Sequence, residues 1–135
     1  MFKILIVEDS IMYRQILRDI LYFRFPKIEI LEAANGADAL TKITPSPPDL
    51  IFMDIKLPGE SGLELTRKIK TKYPDTTVII LTSYDLPEYR EAANQYKANY
   101  FLSKGSASKE SILTLVDSIL SEQRNDSGDP KSKNP

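Results

Sequence analysis

Short apolar runs and helical stripes alternate along this chain. Residues 4–7, 50–53 and 77–81 are continuous apolar or β-branched runs. Runs of that length bounded by turn residues predict strands buried on both faces. Each run ends in polar groups: Glu8-Asp9, Asp54 and Thr82-Ser83 respectively. After the first run, Ser10 can cap a helix, and Met12, Ile16, Leu17, Ile20 and Leu21 recur at helical spacing until Pro26. Residues 28–33 alternate weakly and predict a partly exposed strand. Asn35-Gly36 marks a turn, and Ala37, Leu40 and Ile43 form a short helical face. Pro45-Ser46-Pro47-Pro48 is a stiff loop that feeds the run at 50–53.

The second half repeats the alternation. A loop with Pro58, Gly59 and Gly62 leads into Leu63, Thr66, Ile69 and Lys70, a helix closed by Pro74. Pro87 suits the first turn of a helix that reaches to about Tyr96 and is the least apolar of the set. Residues 100–102 predict a last short strand, followed by Lys104. Ser106 or Ser108 can cap the final helix, whose Ile112, Leu115, Val116, Ile119 and Leu120 give the cleanest amphipathic pattern in the chain. Residues 123–135 are polar, with Gly and Pro and no apolar anchor, so they predict a disordered tail or interdomain linker after a folded domain at 1–122. A βα unit repeated five times implies an α/β fold, a parallel sheet with helices on both faces and right-handed crossovers.

Composition narrows the chemistry. A chain of 135 residues is one domain, and 41% hydrophobic with 27% charged residues is a globular balance. A net charge of −1 gives no reason to expect nucleic-acid or membrane binding by this segment. The absence of cysteine removes disulfides and thiolate metal sites. The absence of histidine removes catalytic triads and most zinc sites, and it means the chain carries no phosphohistidine of its own. No signal peptide opens the sequence and no apolar run approaches membrane-spanning length, so the expected location is the cytoplasm. No Gly-x-Gly-x-x-Gly or Walker A stretch follows any predicted strand.

In a parallel sheet the C-terminal strand ends share one edge, where ligands bind in open α/β folds. That gathers Glu8, Asp9, Asp54, Thr82 and Lys104 around one crevice. Singly each has an ordinary role: acids before a helix, a turn threonine, a solvated lysine. Together they are three carboxylates, a hydroxyl and an ammonium. Three close anions repel unless a cation sits among them. Lys104 offsets one charge and a divalent ion offsets two. Magnesium takes oxygen ligands, one or two carboxylates and a substrate phosphate, which suits Glu8, Asp9 and Asp54. A carboxylate in such a site can take a phosphoryl group as an acyl phosphate. Asp54 is then the nucleophile, Glu8 and Asp9 hold the metal, Lys104 pairs with the phosphoryl group and Thr82 bonds an oxygen of it.

These residues resemble the receiver domain of two-component response regulators. The resemblance spans about residues 2–120. Ile4-Leu5-Ile6-Val7-Glu8-Asp9 is similar to the family's opening strand and acidic pair, and Asp54-Ile55-Lys56-Leu57-Pro58-Gly59 to its phosphoacceptor and Pro-Gly loop. Leu81-Thr82-Ser83 matches the switch hydroxyl and Lys104 the family's lysine. The resemblance implies a flavodoxin-like (βα)5 fold with strand order 2-1-3-4-5. It implies phosphoryl transfer to Asp54 from a phosphohistidine on a sensor histidine kinase or phosphotransfer protein. It implies Mg2+, with the backbone carbonyl of Lys56 as a further ligand, and Phe101 as the switch aromatic. Phosphorylation would draw Thr82 inward and let Phe101 fill the vacated space, changing the surface of the fourth helix, last strand and last helix. The domain is then a signalling switch, not an enzyme, that assists its own phosphorylation and dephosphorylation. Its readers are an effector domain, a downstream protein or a second copy in a homodimer. The chain fits both a complete single-domain regulator and a segment cut before an effector domain.

The sequence departs from the pattern in places. Gly105 stands where many members have proline, as in the subset with helix-turn-helix output domains. Lys97 and Tyr100 stand where many carry glycine, and Lys56 and Tyr84 occupy positions that modulate dephosphorylation in the family. Other classes fit worse. A haloacid-dehalogenase-type hydrolase needs Asp-x-Asp after the first strand, and Val7-Glu8-Asp9-Ser10 lacks it. A flavodoxin-like electron carrier needs a hydroxyl-rich loop there, and two acids would repel the flavin phosphate. All five key residues are present, so nothing in the sequence favours a degenerate receiver that only binds partners.

Overall fold

The computed structural model describes residues 1–128. The apolar runs become β1 (Lys3–Val7), β3 (Leu50–Met53) and β4 (Thr77–Thr82), and the weaker ones become β2 (Glu29–Ala33) and β5 (Tyr100–Ser103). All pairings are parallel, and the strand order is β2-β1-β3-β4-β5. Every residue of β3 is buried, as expected of a central strand covered on both faces. The register sets Val7 beside both Ala33 and Met53, Met53 beside Ile80, and Thr82 beside Ser103. The residues that follow β1, β3 and β5 therefore emerge on one edge.

Five helices complete the two outer layers: α1 (Ile11–Arg24), α2 (Gly36–Ile43), α3 (Gly62–Lys72), α4 (Pro87–Gln95) and α5 (Lys109–Gly128). Alternate strand residues face opposite layers. Leu5, Val7, Ile51, Met53, Val78 and Ile80 pack with Ile43 of α2, Leu65 and Ile69 of α3 and Ala93 of α4. Ile4, Ile6, Leu50, Phe52, Ile79 and Leu81 pack with Leu17 and Leu21 of α1 and Ile112, Val116 and Ile119 of α5. Each fully buried side chain of this size contributes about 1.5–3 kcal/mol relative to exposure.

The helices begin largely where the sequence places them. Ser10 accepts from Tyr13 N–H at 3.2 Å, and Pro87 occupies the first turn of α4. Ser108, rather than Ser106, caps α5: it accepts from Ser111 N–H at 3.0 Å while Ser111 Oγ accepts from Ser108 N–H at 2.9 Å. Two helical faces differ from expectation. In α1 the row facing the sheet is Tyr13, Leu17 and Leu21, spaced by four, so Met12 and Ile16 fall one row over and are 74% and 51% exposed. In α2 the Asn35 cap accepts from Asp38 N–H at 2.8 Å and sets the phase, so Gly36, Ala39 and Ile43 are buried while Ala37 is exposed. Helix α5 continues to Gly128, past the start of the expected tail at 123; residues 129–135 lie outside the described residues. Among the described residues no helix is long and apolar enough to cross a membrane.

Candidate functional site

Three backbone hydrogen bonds carry the sheet's ladder one step past the strands and fix the site. Glu8 N–H donates to Ala33 O at 2.9 Å, Asp54 N–H to Val7 O at 3.1 Å and Lys104 N–H to Thr82 O at 2.8 Å. The chain just beyond Asp54 is held by a close approach of α3. A Cβ on Gly62 would sit 1.8 Å from the Asp54 carbonyl oxygen, so only glycine fits, and Gly62 N–H donates to Ile55 O at 2.9 Å. Gly59 in the same loop has φ +82°, a conformation glycine adopts without steric cost.

Carboxylate oxygens of Glu8, Asp9 and Asp54 lie within 4.8 Å of one another. Glu8 and Asp54 are buried, at 3% and 7% exposure, and Asp9 is exposed. Lys104 Nζ bridges the two buried acids, 2.5 Å from Glu8 Oε1 and 3.1 Å from Asp54 Oδ2. The remaining oxygens are also engaged: Glu8 Oε2 accepts from Ser10 N–H at 3.0 Å and Asp54 Oδ1 from Ile55 N–H at 2.7 Å. The Lys104 ammonium also lies over the Tyr13 ring, 4.2 Å from its centroid. Arg14 Nη1 donates to the Glu8 carbonyl at 2.7 Å and its Nε to Glu32 Oε1 at 2.9 Å, so α1 clamps the acidic turn from behind.

The electrostatics follow from burial and from unequal charges. Burial pushes the Glu8 carboxyl above its ordinary value, and Asp54 pushes it further; the bonds from Lys104 and Ser10 pull back without overcoming the rise. Burial alone would lower the Lys104 ammonium, but its bond to Glu8 and the field of Asp54 raise it on balance. Burial likewise raises the Tyr13 hydroxyl. Two buried acids share one cation, and a third acid stands beside them. The donor set is all oxygen and carries an excess of negative charge, which fits a hard divalent cation and not a soft one.

The structure thus brings Glu8, Asp9, Asp54 and Lys104 together. Thr82 is fully buried, and its hydroxyl accepts from Tyr84 N–H at 3.2 Å. Lys56 lies two residues past Asp54, with its ammonium 5.1 Å from the Tyr84 ring centroid and 5.6 Å from that of Tyr89 on α4. Phe101 stands apart from the ion cluster. It is half-buried against the core on the α4 side, with the Arg90 guanidinium 4.6 Å from its ring centroid. Sequence reasoning missed Tyr13, Arg14 and Arg90, whose contacts depend on how α1 and α4 are rotated. It read Gly62 only as a loop residue; a glycine directly before a helical stripe was the available signal.

A doubly wound sheet of this strand order, with an acidic crevice at the C-terminal strand ends, defines the flavodoxin-like class of α/β domain. The chain belongs to the response regulator receiver domain family, whose profile matches residues 4–117. It is 33% identical over 114 residues to the oxygen regulatory protein NreC of Staphylococcus haemolyticus, an alignment covering 84% of this chain and 52% of that protein. It is 35% identical over 118 residues to NreC of Staphylococcus carnosus, covering 87% and 54%. The chain therefore spans about half the length of the curated relatives it matches. Among solved structures, a CheY-like response regulator receiver domain protein from Methanospirillum hungatei superposes with a TM-score of 0.85 at 28% identity, covering 93% of this chain and 98% of that one. A LuxR-family DNA-binding response regulator from Staphylococcus aureus superposes with a TM-score of 0.80 at 28% identity, covering 88% and 98%.

Proposed function

We propose that Asp54 accepts a phosphoryl group from a phosphohistidine on a sensor histidine kinase or phosphotransfer protein. One observation carries the reading above all: the carboxylate at the end of the central strand is buried, bonded to Lys104 and clustered with two further acids. An Asp54 carboxylate oxygen forms the new P–O bond as the P–N bond of the donor breaks, and the bonding pair leaves with the imidazole nitrogen. Lys104 stays beside Asp54 and neutralises charge on the transferring oxygens. Ile55 N–H holds the carboxylate in one rotamer. The Thr82 hydroxyl donates to a phosphoryl oxygen once the group arrives, and Phe101 moves into the space that Thr82 leaves. Mg2+, held by Glu8, Asp9, Asp54 and the backbone carbonyl of Lys56, would neutralise the phosphoryl oxygens further.

The domain acts in the cytoplasm as a switch rather than as an enzyme with turnover, assisting the gain and loss of its own phosphoryl group. Its α4–β5–α5 surface is read by an effector domain, by a downstream protein or by a second copy of the chain. The likeness to the LuxR-family DNA-binding response regulator from Staphylococcus aureus favours an effector domain that binds DNA. Small acyl phosphates replace the protein donor for a test. Incubation with acetyl phosphate and Mg2+ adds one phosphoryl group by intact-mass measurement, and Asp54→Asn or excess chelator abolishes the gain. Undiminished uptake in Asp54→Asn refutes the role of Asp54, and uptake unchanged by chelator refutes the metal site.

A further inference from the structure

Arg90 makes two contacts that no part of the proposed chemistry uses. Its guanidinium forks onto Asp85, with Nε 2.5 Å from Oδ1 and Nη2 3.1 Å from Oδ2. The same guanidinium lies over the Phe101 ring. A planar guanidinium can do both at once, engaging a carboxylate through its edge and an aromatic ring through its face, and an ammonium cannot. Asp85 lies three residues past Thr82, in the loop whose Tyr84 N–H donates to the Thr82 hydroxyl. A continuous path of contacts therefore runs from Thr82 through this loop to Arg90 and on to Phe101.

We propose that Arg90 is a positioning residue that links the loop after Thr82 to Phe101 and holds the ring in its present place. This rests on the reading that Thr82 and Phe101 respond to phosphorylation. Both oxygens of Asp85 are engaged by Arg90, which couples the loop to the guanidinium. When Thr82 shifts toward a phosphoryl group, its bond to Tyr84 N–H is released or drags the loop with it. Either movement displaces Asp85, slides Arg90 off the ring and frees Phe101. Without a phosphoryl group the clasp opposes that movement. Side chains at this exposed position add little to the stability of the whole fold, so loss of the clasp changes the local equilibrium and leaves folding intact.

The test uses 4-fluorophenylalanine incorporated at the five phenylalanine positions, with the Phe101 line assigned by its loss in Phe101→Leu. In the absence of any phosphodonor, Arg90→Ala and Arg90→Lys both shift the Phe101 fluorine line, and Asp85→Asn shifts it the same way, with unchanged melting behaviour. In acetyl phosphate and Mg2+, Arg90→Ala raises the uptake rate about threefold, and the same substitution has no effect in a Phe101→Leu background. An unmoved fluorine line in Arg90→Ala overturns the proposal, and so does an equal rate change in both backgrounds. If the parent protein took up no phosphoryl group, the proposed function would fail, and the fluorine measurement would still decide whether Arg90 holds the ring.

Discussion

Glu8 and Asp54 sit on either side of the same ammonium. Glu8 is raised mainly by burial, so folding disfavours its charged form relative to the unfolded chain. A raised folded value contributes stability that is fully present below the unfolded value of about 4.5 and is lost as the pH rises through the folded one. Denaturant unfolding of the parent and of Glu8→Gln at pH 4 and pH 7 checks this. The parent gains relative to the variant at the lower pH, and a pH-independent difference contradicts it. Lys104 is also raised, so its dependence has the same sign at a much higher pH: its ammonium contributes throughout the neutral range and loses its effect as the pH rises through its folded value, above the ordinary one. The four ionic groups were legible in the sequence because each lies within two residues of the end of a strand. Tyr13 and Arg14 were not, because their contact with the cluster depends on the rotation of α1 about its axis.

At the scale of elements, the end of α4 carries a local conflict. Ala98 N–H donates to Ala93 O at 2.9 Å and Lys97 N–H to Asn94 O at 3.1 Å, the bond pattern of a helix ended by a left-handed residue. That residue is Lys97, at φ +68°. The sequence marked Lys97 as standing where glycine is usual, and the backbone supplies the reason. Lys97→Gly relieves the side-chain crowding and stabilises by roughly 0.5–1 kcal/mol after the added freedom of the unfolded chain is counted. Thermal unfolding checks the sign; a destabilised variant contradicts it. Gly62→Ala goes the other way. Its Cβ collides with backbone rather than with a flexible side chain, so it destabilises by roughly 3 kcal/mol and lowers uptake at Asp54. The phases of α1 and α2 were poorly legible because both helices carry more apolar or small residues than one face holds. In α1, Phe23 remains 87% exposed beside Met12 and Ile16, so periodicity alone could not choose the buried row.

Over the whole molecule, the site joins residues as far apart in sequence as Glu8 and Lys104 through topology alone. Five parallel strands put every C-terminal strand end on one edge, which is why the crevice could be read before any distance was known. The alternation of βα units established the layers. The strand order came from the family resemblance, since apolar runs do not say which strand sits beside which. The limit of α5 was least legible, because polar residues after Leu120 continue the helix without an apolar row to mark it.

In the proposed function one particular carboxylate among three neighbours, Asp54, becomes an acyl phosphate. Borohydride reduces an acyl phosphate to the corresponding alcohol, so protein treated with acetyl phosphate and Mg2+, reduced and digested, reports the modified position by peptide mass spectrometry. Homoserine is expected at position 54, with unmodified acids at positions 8 and 9. Reduction product at Glu8 or Asp9, or none at position 54, would contradict it.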